Sequence, residues 1–70
     1  MTRYEVIIYW SAEDSVFIAE VPELAGCVAH GSSRAEALGN AEDAMGLWVA
    51  TAREFGHPVP EPKGRKLMYA

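Results

Sequence analysis

Apolar and polar positions change rhythm partway along this chain: short β-branched and aromatic stretches give way, from about residue 33 onward, to apolar residues spaced three and four apart. Residues 4–10, "YEVIIYW", read as a strand that enters a hairpin loop through the polar "SAEDS", and residues 16–21, "VFIAEV", read as the return strand. No Asn-Gly type of dipeptide fixes the turn, so the pattern leaves the register open. Pro22 begins a turn, Gly26 supplies backbone freedom for a bend, and residues 27–30 are expected to form a third short strand.

The helix start is the most informative local signal. Ser33 with Glu36 three positions later matches a capping box, in which the serine oxygen accepts from the backbone near the glutamate and the glutamate reaches back. Leu38, Ala41, Met45, Trp48, Val49 and Ala52 then draw one apolar stripe predicted to lie on the sheet, with Glu36, Asn40, Asp43 and Arg53 off it. Gly39 and Gly46 each weaken helix propensity by roughly 1 kcal/mol relative to alanine, so packing must hold this helix. Gly56 is placed to follow the last turn, and Pro58 prevents continuation. Prolines at 58, 60 and 62 favour an extended arm, and residues 66–69 are expected to add a last strand to this sheet or to a neighbouring subunit's.

The resulting expectation is a single α+β domain over residues 1–70. Residues 4–57 form the compact core, a three-stranded antiparallel sheet with one helix on one face, and residues 58–70 form a proline-rich exit with a possible edge strand. Val6, Ile8, Phe17, Ala19 and Val21 are assigned to the face under the helix. The reverse face then carries Ile7, Tyr9, Val16 and Ile18 beside Glu5 and Glu20. One helix cannot cover both faces. An exposed apolar patch of this kind points to an interface, unless the C-terminal tail folds across it.

Size strengthens that expectation, because 70 residues support only a thin core and small domains commonly need a disulfide, a metal or a partner. A lone cysteine cannot make an internal disulfide, and it fits a reducing compartment. No signal peptide or apolar run of membrane-spanning length is visible, so a cytoplasmic location is expected. A net charge of −4 disfavours general nucleic-acid binding and favours a basic partner. Lys63, Arg65 and Lys66 run against that balance and are read as a solvated tail.

Catalytic chemistry finds little support. Cys27 and His30 make a Cys-x-x-His pair with only His57 as a further nitrogen ligand, too few for a usual zinc site, so Cys27 is assigned to packing. Glu5 and Glu20 are the only strand carboxylates, while Glu36, Glu42 and Asp43 belong to an exposed helix surface, which falls short of the converging set a metal-dependent nuclease needs. No phosphate loop or Ser-His-Asp grouping is present. No catalytic residue, metal or cofactor is therefore assigned.

Taken together, the order of short words resembles the HicB-type antitoxins of bacterial toxin–antitoxin pairs along most of the chain. Those proteins share a hairpin, then Pro-Glu-Leu-Pro-Gly-Cys, a short strand, Gly-Asp-Thr, and a helix beginning Glu-Glu-Ala with a Pro-x-Pro exit. The corresponding words run from Pro22 through Gly26 to Cys27, from Gly31 to Ser33, and from Glu36 to Leu38, with Ala25 where a proline is usual and Ser32 where an aspartate is usual. The resemblance implies a partial ribonuclease-H-like fold (β-β-β-α-β) without nuclease chemistry and a small basic HicA-type RNA-cleaving toxin as partner; self-association as a dimer or tetramer is expected from the thin core and the uncovered sheet face. DNA binding is not expected, since the helix-turn-helix or ribbon-helix-helix segment of longer relatives has no counterpart in these residues.

On that basis Ile7, Tyr9 and Ile18 are expected to supply apolar contact, and Glu20, Glu36, Glu42 and Asp43 charge complementarity. Pro22, Gly26, Cys27, Gly31, Ser33, Leu38, Met45 and Trp48 are assigned structural roles. The competing readings are a self-associating domain with no toxin and a degenerate ribonuclease-H-like nuclease.

Overall fold

The computed structural model describes residues 3–63. Four elements follow in order: β1 (Ile7–Ser11), β2 (Val16–Glu20), β3 (Val28–Gly31) and α1 (Arg34–Glu54). The strands form an antiparallel sheet in the order β1-β2-β3, with α1 packed on one face. The α+β expectation is met, and the last strand expected at residues 66–69 lies outside the described residues.

The hairpin register pairs Ile7 with Glu20, Tyr9 with Ile18 and Ser11 with Val16. Ser11 stabilises the intervening loop, because its hydroxyl accepts from the Asp14 N–H (3.3 Å) and donates to the Asp14 carboxylate (3.2 Å). The first strand begins at Ile7 instead of residue 4 for a physical reason. Continuing the register would set Glu5 against Pro22, which has no N–H to donate. The Glu5 N–H instead donates to the Glu23 carboxylate at 3.3 Å.

Residues 21–27 close on themselves before β3. The Leu24 N–H donates to the Val21 carbonyl (3.1 Å), the Cys27 N–H to the Leu24 carbonyl (2.9 Å), and the Val21 N–H to the Cys27 carbonyl (3.0 Å). Gly26 takes φ 76°, which a side chain would oppose. With its backbone committed to this loop, Cys27 precedes β3, and the strand starts one residue later than the pattern suggested. Gly31, at its end, allows the helix to approach: a Cβ there would stand 2.5 Å from the Ala37 nitrogen.

The helix is capped at both ends. Ser33, with φ −139° and ψ 165°, accepts from the Glu36 N–H at 3.0 Å. The return arm goes one residue further back than in a standard capping box, since the Glu36 carboxylate accepts from the Ser32 N–H and from the Ser32 hydroxyl (2.9 Å). At the other end Gly56 (φ 72°) donates to the Arg53 carbonyl at 3.2 Å, and the His57 N–H to the Ala52 carbonyl at 2.7 Å, completing a Schellman motif.

The core contains Ala19, Val21, Leu24, Cys27, Ala37, Ala41 and Met45, flanked by Tyr4, Val6, Ile8, Phe17, Ala29, Ala44 and Trp48. The residues assigned to the covered sheet face are all here. Leu38 is corrected: it is 37 % exposed, and Ala37 takes the buried place. Tight approach at Gly31 leaves room for a methyl group but not for leucine, so Ala37 takes the first-turn place, while Ala41, Met45, Trp48 and Ala52 of the expected stripe stay buried or packed against the core. Several of the buried positions are alanines, each contributing little area, and the apolar gain is correspondingly modest.

Candidate interaction surfaces

The antiparallel register determines what the uncovered sheet face displays. Residues opposite in the ladder share a face, giving one row of Ile7, Glu20 and Val28 and a second of Tyr9, Ile18 and His30. Ile7 is 44 % exposed, Tyr9 43 % and Val28 53 %, whereas Ile18 and Glu20 are half-buried between their neighbours. Val28 was not singled out from the sequence, although its alternation with the buried Cys27 was the available signal.

One polar contact organises this face. The Tyr9 hydroxyl donates to the Glu20 carboxylate at 2.8 Å, and that hydrogen bond, with lesser contributions from desolvation and from the Glu20 and Asp14 charges, raises the Tyr9 pKa above 10.0. The phenol stays protonated and fills one acceptor site of the carboxylate, whose negative charge remains. An apolar surface with one internally bonded carboxylate is well suited to protein contact.

Glu36, Glu42 and Asp43 lie on the other layer. All three are exposed on α1, which occupies the opposite side of the sheet from Ile7, Tyr9, Ile18 and Glu20. The seven residues expected to act in docking therefore divide between two surfaces. Glu36 has a local role as well, and its hydrogen bonds from the Ser32 backbone and then from the Ser32 hydroxyl hold its carboxyl below the ordinary 4.5.

A groove of about 550 Å³ runs between α1 and the β3 edge, bordered by Cys27, Val28, Ala44, Leu47, Trp48 and Thr51. Trp48 forms a fixed wall, because its indole N–H donates to the Ala25 carbonyl at 2.9 Å. Leu47 is 70 % exposed beside it. On the other flank of the helix a second hollow is lined by Arg3, Tyr4, Val49, Arg53 and Val59. There the proline arm is fastened twice, by the Tyr4 hydroxyl donating to the Pro60 carbonyl and by the Lys63 N–H donating to the Glu23 carboxylate at 2.8 Å. Sequence pattern alone did not indicate Glu23, whose two oxygens tie the arm to the start of β1.

The chemistry of the titratable groups is plain. Cys27 is buried in the core, and burial raises its pKa, which disfavours the thiolate. His30 points from the outer sheet face. Among the described residues no three of the His, Cys, Asp and Glu side chains are grouped to hold a metal ion, and no helix is long and apolar enough to cross a membrane.

Comparison with known proteins extends this picture. A family described as HicB_like antitoxin of bacterial toxin-antitoxin system matches residues 4–68. UPF0150 protein ssl0259 of Synechocystis is 37 % identical over 58 residues, covering 83 % of this chain and 78 % of that one. UPF0150 protein Ta0767 of Thermoplasma acidophilum is 28 % identical over 65 residues, covering 93 % of each. No solved structure matches significantly.

Proposed function

Because the chain belongs to the HicB-like antitoxin family, we propose that it works by docking, without catalysis, and neutralises a small basic RNA-cleaving toxin of the HicA type in the cytoplasm. The observation that carries this reading is the uncovered sheet face, where Ile7, Tyr9 and Val28 stand exposed around the half-buried Ile18. An apolar face on a domain with so thin a core is stabilised when another chain covers it. Glu20, which accepts from the Tyr9 hydroxyl, is the one carboxylate in the two rows of this face, so a second copy of this acidic protein docking there brings few like charges together.

Glu36, Glu42 and Asp43 supply negative potential on the helix layer, which attracts a basic toxin and speeds encounter. The β-β-β-α order fits the partial ribonuclease-H-like architecture that the resemblance implies. Co-expression with the small basic product of an adjacent reading frame tests the function. Restored growth together with co-purification of the two chains supports neutralisation. Continued toxicity despite abundant folded protein, or growth restored without a complex, refutes it.

A further inference from the structure

The groove beside β3 has properties that the sheet face lacks. Its lining is largely apolar, with Val28, Ala44 and the pinned Trp48 meeting Leu47, and Thr51 and His57 as its polar side chains. Along its helical rim the exposed residues Glu36, Asn40, Asp43, Leu47, Thr51 and Glu54 follow one another at spacings of three and four, so they form a single stripe on one side of α1. Asn40 fixes which side that is, because its amide donates to the His30 carbonyl of β3 at 2.9 Å. The stripe thus sets carboxylates along the helical side of an apolar trough.

The described arginines and lysine lie elsewhere. Arg3 and Arg53 line the hollow on the opposite flank, Arg34 stands 4.9 Å over the Phe17 ring, and the Lys63 backbone is held at Glu23. Among the described residues no lysine or arginine lines the groove to answer Asp43 or Glu54.

We propose that the α1/β3 groove receives an amphipathic helix of a basic partner, its apolar residues seated between Val28, Leu47 and Trp48 and its lysines or arginines over Asp43 and Glu54. This rests on the docking reading above and assigns the partner a surface centred on Leu47 and Trp48, which meets the face that pairs two copies only at Val28. Charge selects the occupant: a second acidic copy would bring like carboxylates together around the trough, whereas a basic helix neutralises them. The backbone edge is a poorer invitation. The Cys27 carbonyl faces β2, so the alternating ladder turns the Val28 and His30 backbone groups outward, and Asn40 already occupies the His30 carbonyl. A helix lying in the groove is favoured over an added strand.

The test uses a synthetic Leu/Lys peptide with leucines at i, i+3, i+4 and i+7, a same-composition peptide with that spacing scrambled, and an acidic Leu/Glu counterpart. Amide chemical-shift mapping on the full chain is expected to move Val28, Ala44, Leu47 and Thr51 with the patterned basic peptide. Leu47→Glu, at an exposed helix position, should weaken binding about tenfold or more. A double variant, Asp43→Lys with Glu54→Lys, should do the same while keeping the helical circular dichroism signal. Equal binding of the scrambled peptide, shifts centred on Ile7 and Tyr9, or an unchanged Leu47→Glu affinity each overturn the assignment. So does a wild-type dimer that becomes monomeric on Leu47→Glu, since a second copy is then the occupant. Toxin neutralisation that survives Leu47→Glu refutes the groove and leaves the antitoxin function standing; absent neutralisation with intact peptide binding does the reverse.

Discussion

The two faces of the sheet both carry apolar side chains and meet different fates. On the helix side the rows are Ile8, Ala19 and Ala29, then Trp10, Phe17 and Gly31, of which Trp10 stays exposed; on the far side they are Ile7, Glu20 and Val28, then Tyr9, Ile18 and His30. Polarity separates them, since the helix side carries only apolar residues and glycine while the far side includes Glu20 and His30. Size then sets how closely α1 sits, because Ala19, Ala29 and Gly31 on β2 and β3 let the Ala37–Ala41 side of the helix approach. The far face keeps Ile7, Tyr9 and Val28 exposed.

Perturbing the covered face should therefore cost stability. Met45→Ala opens a cavity in a core with few large side chains, and a loss of about 2–5 kcal/mol is predicted by urea denaturation. Gly31→Ala forces the strand end and the first helical turn apart, with a loss of about 1–3 kcal/mol in the same assay. Ser33→Ala removes the N-cap oxygen and should cost about 1 kcal/mol. By contrast Tyr9→Asp, on the open face, leaves the core intact and should cost the monomer no more than about 1 kcal/mol, from the lost Glu20 hydrogen bond and the two neighbouring carboxylates.

The smallest effect concerns pH. The Glu36 carboxyl titrates below its ordinary 4.5 in the folded chain, so the associated stabilisation is complete above that value and is lost as pH falls through the folded one. Thermal melts in acid should show wild type losing this increment while Glu36→Gln does not. Parallel acid profiles for the two proteins would remove the Ser32–Glu36 contact from the account.

Much of this fold was legible in the sequence. Period-two stretches gave the hairpin, Ser33 and Glu36 marked the helix start, and Gly56 marked its end, each because a local backbone requirement selects the residue. Boundaries failed where the cause was tertiary: β1 starts late because Pro22 cannot complete the ladder opposite Glu5, and Leu38 yields to Ala37 because Gly31 brings the layers together. The exposed sheet face could be drawn from alternation alone. The groove could not, since Leu47 reads as an ordinary exposed helix residue until Val28 and the Ala25-bonded Trp48 are brought beside it.

Sedimentation equilibrium of the intact wild-type chain and of Tyr9→Asp most directly tests the claim that the open sheet face is a docking surface. The account predicts concentration-dependent association of wild type and a folded, monomeric Tyr9→Asp. A wild type that stays monomeric throughout, or two proteins that associate equally, would contradict it.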